Sequence, residues 1–345
     1  MLWPLRAGRK PWKSSCKSPA WCDRPNVCDR KGSILKLLTF SQDAASPSRL
    51  GACIGADRII DMALAYEELR SARAPEWLGS VADLLKGGSG AMDLARGLLA
   101  QVEANPDRCS TCSVRADRIQ FRSPAAPDAK ILCVTMNYLS HANASNSKPA
   151  EEPYFFIKMS QLMTPHRAPI LLSRTSRKCD SEIELGVIIG KRGKYISQEN
   201  AFDHVAGYTI CNDFSFRDRR TLKAEANMAR LHWLTLKNLD TAAPIGPWLV
   251  TRDEIPDVYD LEISLTLEND PGERQAGSTR AMMHKIPFLI ERASDGLTLE
   301  PGDMICTGTP HAVAFGHERY LEEGDVLRAE IQGIGALVNP VIRER

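Results

Sequence analysis

Two acidic residues separated by a single residue, Glu182 and Glu184, lie in the run Asp180-Ser181-Glu182-Ile183-Glu184-Leu185-Gly186-Val187-Ile188-Ile189-Gly190. Ile183, Leu185, Val187 and Ile189 alternate with Glu182, Glu184 and Gly186, the period-two pattern of a β-strand, whose successive side chains point to opposite faces. Both carboxylates therefore leave the strand on one side while the apolar set packs on the other. Two like charges a pleat apart repel. Either both face solvent, the commoner arrangement for an isolated Glu-x-Glu, or a cation joins them. A second segment bears on that choice: Ala206-Gly207-Tyr208-Thr209-Ile210-Cys211-Asn212-Asp213 ends an uncharged strand pattern on a carboxylate, with Arg217 and Asp218 just beyond. A charge at a strand end is ordinarily solvated. Three such carboxylates brought together would make the oxygen-rich site that Mg²⁺ or Mn²⁺ prefers, with positions left for water and substrate.

The elements around these residues are mostly strands. Past a polar, proline-bearing link (Arg122 to Lys130), short apolar runs bounded by turn residues predict strands at 130–134, 183–189, 205–212, 261–267, 303–307 and 326–331. Two of these follow turns built alike, Glu300-Pro301-Gly302-Asp303 and Glu322-Glu323-Gly324-Asp325. Helices are predicted over 197–204, with Ser197 as its N-cap, and over 284–293, where Ile286, Leu289, Ile290 and Ala293 share a face. Ahead of this β-rich body, 34–40 reads as a strand, 49–55 with 58–61 as a hairpin, and 62–105 as helical. Three segments follow: a leader over 1–33, disordered or an artefactual upstream start; a small α/β domain over 34–121; and a main domain over 122–345.

Composition narrows the class. With 345 residues, 43% of them hydrophobic, and 44 Lys+Arg against 43 Asp+Glu, the chain has neither the polarity of a disordered protein nor the basic excess of a nucleic-acid binder. Charge is uneven, however. Residues 1–33 carry eight basic and two acidic residues, so the remaining 312 carry 36 against 41. The leader also holds Trp3, Trp12 and Trp21, without an apolar signal core. The ten cysteines are scattered over a chain long enough to bury a core without staples, which predicts free thiols and a cytoplasmic location. Cys109 and Cys112 form one C-x-x-C with no further Cys or His nearby to complete a zinc site, and they read as loop cysteines. No apolar run approaches a membrane span, so neither membrane nor nucleic acid is an expected partner.

Four ordered motifs go further: Ser181 to Gly190; Val205 to Asp218; Lys237-Asn238-Leu239-Asp240-Thr241-Ala242-Ala243-Pro244-Ile245-Gly246-Pro247-Trp248; and Leu299 to Pro310. Together, from about Ile131 to Pro340, they closely resemble the catalytic domain of the fumarylacetoacetate hydrolase superfamily. The resemblance implies an α+β, mainly β fold, a mixed β-sandwich roll preceded by a small N-terminal α/β domain. It also implies a homodimer and a bound Mg²⁺ or Mn²⁺, with Ca²⁺ as a further acceptable ion. The implied ligands are Glu182, Glu184 and Asp213. Lys237 matches the family lysine near the substrate carboxylate or enolate, Thr309 would contact substrate, and Arg217 either does so or pairs with a neighbouring carboxylate.

Upstream, Asn137-Tyr138-Leu139-Ser140-His141 resembles the family's lid segment, whose histidine activates water together with a glutamate three residues on. Here that position is Ala144, which leaves His141 without its expected orienter; Glu151 and Glu152 lie nearby in sequence. Thr135, Arg220 and the run His311 to Ala314 also depart from the family pattern. A divalent ion would polarise a 2-oxo acid's carbonyl and stabilise the enolate released when a C–C bond breaks. The first expectation is therefore a metal-dependent hydrolase cleaving a C–C bond in an acylpyruvate-like or fumarylacetoacetate-like acid. The alternatives are an isomerase, decarboxylase or hydratase on a related unsaturated diacid of aromatic catabolism, and a catalytically decayed paralogue.

Overall fold

The computed structural model describes residues 34–55, 57–109, 111–140, 150–219, 232–310 and 319–345, which fall within one compact unit, Lys31–Arg345. Strands β1 (Lys36–Ser41), β2 (Arg49–Ile54) and β3 (Arg58–Asp61) form the expected hairpin meander. Helices α1 (Met62–Arg70), α2 (Val81–Lys86) and α3 (Gly88–Ala104) follow. Their starts are written locally: Asp61 caps α1 by accepting the Leu64 N–H, and Ser80 caps α2 by accepting that of Asp83. Short strands β4 (Ser113–Arg115) and β5 (Gln120–Arg122) close this module.

The body adds β6 (Ile131–Val134), β7 (Phe155–Lys158), β8 (Met163–Thr164), β9 (Ile170–Leu172), β10 (Cys179–Asp180), β11 (Ile183–Ile189), β12 (Val205–Asn212) and β13 (Ser215–Phe216). After the short helix α4 (Trp233–Lys237) come β14 (Ala243–Thr251), β15 (Glu262–Leu267) and β16 (Asp270–Ser278). Helix α5 (Ile286–Ala293) precedes β17 (Met304–Cys306), β18 (Val326–Ile331) and β19 (Gly335–Arg343).

The large sheet runs β4-β3-β2-β1-β14-β12-β11-β17-β6-β7, with β5 on β1 and β8 on β14. Strands of the 34–121 segment are thus hydrogen-bonded directly to strands of the body, through β1 and β14. A second sheet, β16-β15-β18-β19-β9, packs on one face of the first. Ile183, Leu185, Val187 and Ile189 of β11 meet Leu265, Leu327 and Ala329 in the core between the sheets. The opposite face, with Ile188, Cys211, Met304 and Cys306, packs toward a core shared with Ile60, Leu98 and Val102 of the helical module. The result is the mainly β, layered architecture anticipated from the sequence, with few helices. Among the described residues no helix is long and apolar enough to cross a membrane.

Local differences have local causes. Residues Gln198–His204 are a 3₁₀ helix, and Ser197 accepts from the Asn200 side chain instead of capping the backbone. Helix α5 starts at Ile286, with Pro287 in the first turn, where a missing N–H costs nothing. Strand β14 escapes the sequence pattern because Pro244, Gly246 and Pro247 argue against a central strand; its ladder with β12 slips between Tyr208 and Ile210, beside Pro247. The two similar turns are the same device twice. Asp303 Oδ2 accepts the Glu300 N–H at 2.7 Å, and Asp325 Oδ2 accepts the Glu322 N–H at 2.9 Å.

Candidate metal centre

Antiparallel pairing sets Ile183 opposite Asn212, so one step further Glu182 faces Asp213, whose N–H donates to Glu182 O at 2.8 Å. The period-two alternation carries Glu184 to the same side. Carboxylate oxygens of Glu182, Glu184 and Asp213 all lie within 4.8 Å of one another. The residues are 4%, 2% and 1% exposed, which excludes the solvent-facing arrangement of Glu-x-Glu.

Cations compensate two of these acids. Lys237, the last residue of α4, donates through Nζ to Glu182 Oε2 at 2.6 Å and to Asp213 Oδ2. Helix α4 is started by His232, whose Nδ1 accepts the Thr235 N–H. Burial alone would lower the Lys237 pKa, but Asp213 and Glu182 outweigh it and hold the ammonium above its ordinary value. Arg217 donates to Asp180 Oδ2 at 2.9 Å through Nε and to Glu182 Oε1 through its terminal nitrogen. The β10–β13 pairing, Asp180 opposite Ser215, brings these two segments together. Of the two roles left open for Arg217, pairing with neighbouring carboxylates is the one its contacts display. Here too burial opposes the charged form, and Glu182 and Asp180 override it.

Glu184 differs. Among the described residues its hydrogen bond comes from the Gly308 N–H, at 2.9 Å to Oε2, and no ion pair reaches it. Burial first, then the Asp213 charge, pushes its pKa well above the usual carboxylate range. Gly308 can present that N–H because its φ is +89°; a Cβ there would stand 3.0 Å from Asn137 Cβ and 3.2 Å from Val134 O. Asn137 holds the same loop, donating to Thr307 O at 2.8 Å and to His284 O at 3.1 Å. Next to it, Thr309 is buried and its hydroxyl accepts from Gln275 Nε2 at 3.1 Å. An all-oxygen, buried set in which one carboxylate has no ion-pair partner among the described residues suits a hard divalent ion.

His141 and Ala144, with Arg220 and residues 311–314, lie outside the described residues. Glu152 is committed to Arg292, whose Nε and terminal nitrogen donate to its two oxygens at 2.6 and 3.2 Å. Sequence reasoning missed Lys158, a buried lysine on Asp213, and Asp180, the second partner of Arg217. The signal for Lys158 was a lone lysine closing the apolar run Phe155-Phe156-Ile157. Cys109, which ends a 3₁₀ turn, and Cys112, in the bend after it, are loop cysteines and are buried; Cys112 Sγ donates to Cys109 O, and burial pushes its pKa up to about 12. Glu68 of α1 adds a carboxylate oxygen within 4.8 Å of both thiols, one donor short of a closed tetrahedral zinc site.

Residues 130–342 match the domain model described as fumarylacetoacetate (FAA) hydrolase C-terminal. The chain belongs to the fumarylacetoacetate hydrolase family. It is 34% identical over 321 residues to the mitochondrial oxaloacetate tautomerase of Xenopus laevis, covering 92% of this chain and 93% of that one. A maleylpyruvate hydrolase from Sphingobium sp. SYK-6, solved with manganese(II) and pyruvate, superimposes with a TM-score of 0.66 at 26% identity over 90% of this chain and all of that one. A probable 2-hydroxyhepta-2,4-diene-1,7-dioate isomerase from Mycobacterium abscessus gives 0.65 at 27% identity over 91% of this chain and all of that one. Fumarylacetoacetate hydrolase family members similar to this chain thus include hydrolases, isomerases and a tautomerase, and one of them binds manganese in its solved structure.

Proposed function

We propose that this family member is a divalent-metal-dependent tautomerase that interconverts the enol and keto forms of a short 2-oxo diacid of the oxaloacetate class. Ala144 carries the choice over hydrolysis: water activation calls for a carboxylate beside the lid histidine, and Ala144 stands where the family's hydrolytic members have it. The near-full-length likeness to an oxaloacetate tautomerase supports the same reading. Glu182, Glu184 and Asp213 are the residues that would hold Mg²⁺ or Mn²⁺. That ion would supply Lewis-acid polarisation of the 2-oxo group and charge stabilisation for the enolate.

The chain's own groups provide the rest. Asp213 and Glu182 keep Lys237 protonated, so it serves as a fixed cation toward a substrate carboxylate or enolate oxygen and not as a base. Arg217 holds Glu182 in place against Asp180. Gln275 fixes the Thr309 hydroxyl beside the Gly308 turn, where it would meet the substrate. His141 is assigned the proton transfer at the carbon next to the carbonyl. Homodimerisation is part of the proposal; Tyr154, Ile157, Met159 and Leu234 leave large apolar side chains exposed, and light scattering tests it. A cytoplasmic location is proposed on the described cysteines, which are free and buried.

The test is enol-to-keto conversion of oxaloacetate followed optically with added Mn²⁺ and with chelator, and product mass measured in parallel. Metal-dependent acceleration at conserved mass is the expected result. The second reading, C–C hydrolysis of an acylpyruvate-like acid, is favoured by the likeness to a maleylpyruvate hydrolase. Two acid products from an acylpyruvate panel, with no acceleration of oxaloacetate tautomerisation, would establish it instead.

A further inference from the structure

Lys158 ends β7, a terminal strand of the large sheet, where Ile157 is 61% exposed and Phe156 and Lys158 turn inward. Its ammonium is wholly buried and all three donors are used: Asp213 Oδ1 at 2.7 Å, Phe214 O at 3.1 Å and Lys237 O at 2.6 Å. A charge so enclosed has no alternative position. Lys237, by contrast, reaches Asp213 Oδ2 and Glu182 Oε2 at the end of a long side chain from the last residue of α4, its Nζ 5.2 Å from the centre of the Phe156 ring. The charges at this corner are the buried Asp180, Glu182, Glu184 and Asp213 against the buried Lys158 and Lys237 and the half-buried Arg217.

We propose that Lys158 is a permanent counter-charge that sets the divalent-ion affinity of the carboxylate trio. Holding Asp213 Oδ1, it leaves Oδ2, which Lys237 otherwise holds, as the oxygen an ion would take over, and its positive charge keeps affinity below what three uncompensated carboxylates would reach. An ion held more tightly would share more of its charge with the protein and leave less for substrate. This inference rests on the metal reading of Glu182, Glu184 and Asp213. A purely structural lysine makes the opposite prediction, because losing it would loosen the site and weaken binding.

The experiment is Mn²⁺ titration calorimetry on the full chain, comparing the native protein with Lys158→Met and Lys158→Gln and with Glu184→Gln as control. Both Lys158 variants should bind Mn²⁺ at least tenfold more tightly than the native protein and gain more in Tm on saturation. Weaker or unchanged affinity in a folded variant overturns the proposal. So does failure of both variants to fold with Mn²⁺ in excess, which would make Lys158 a core residue alone. If Glu184→Gln binds Mn²⁺ as the native protein does, the metal reading itself fails and the role of Lys158 falls with it.

Discussion

The corner where β11 begins and β12 ends and the helical module behind them are both buried, by opposite means. In the module, Leu84, Ala95, Leu98 and Val102 pack on Leu37, Leu50 and Ile60, and burial itself is the stabilising term. At the corner, four carboxylates and two lysines have been taken out of water, with Arg217 half-buried beside them, and each carries a desolvation cost that only its neighbours offset. Stability is concentrated where burial is favourable, and chemistry where burial is costly. The least compensated group, Glu184, sits among the three carboxylates suited to an ion.

That contrast can be broken at several points. The largest effect is expected at Arg217: Arg217→Met strands Asp180 without its cation, leaves Glu182 to Lys237 alone, and should destabilise the metal-free protein by roughly 3–5 kcal/mol, read by denaturant unfolding. Leu98→Ala in the module should cost about 3 kcal/mol, yet leave Mn²⁺ affinity within twofold of the native value; a large affinity change would deny the separation of roles. Glu184→Gln should do the reverse. It should weaken Mn²⁺ binding on the order of 100-fold in calorimetry. It should leave the Tm of the metal-free protein unchanged or raised, because a buried carboxylate without a cation is removed.

The smallest effect lies at the joint between the regions. The His166 ring meets Phe121 edge-on at 4.7 Å, and its Nδ1 accepts the Val338 N–H at 3.0 Å. Burial, reinforced by Arg167 and Arg328, lowers its pKa to about 3, against about 6.5 for a free histidine. Between those values the unfolded chain binds the proton and the folded one does not, so stability falls as pH drops below about 6.5. From pH 7 to pH 5 the loss from this group should be about 1–2 kcal/mol, and His166→Gln, which keeps an acceptor for Val338, should flatten that part of the Tm–pH profile.

Much of the site was legible because its information is local. Alternation around Glu182 and Glu184 is a property of seven consecutive residues, and strand geometry converts it into a shared face without further input. Strands 183–189, 205–212 and 326–331 have the boundaries their apolar runs predict. Strand β14 was hidden by its own prolines, which a central strand carries only because the ladder beside it is irregular. The C-x-x-C pair lies in a turn and a bend, as its sequence suggests, but nothing in its spacing reveals that it is buried in the core shared with α1 and α3.

By itself, then, the sequence determined which side chains would leave β11 together, that Asp213 would end the next strand, and that the body would be built mainly of sheet. Tertiary structure alone decided that these carboxylates are buried and converge, that Lys158 and Lys237 hold opposite oxygens of Asp213, and that Glu184 meets a glycine N–H and, among the described residues, no ion-pair partner. The reason is one of range. Side-chain direction follows from the backbone period of a single strand, whereas charge compensation at one carboxylate depends on groups 55 and 24 positions away in sequence, brought within hydrogen-bonding distance only when the sheet closes.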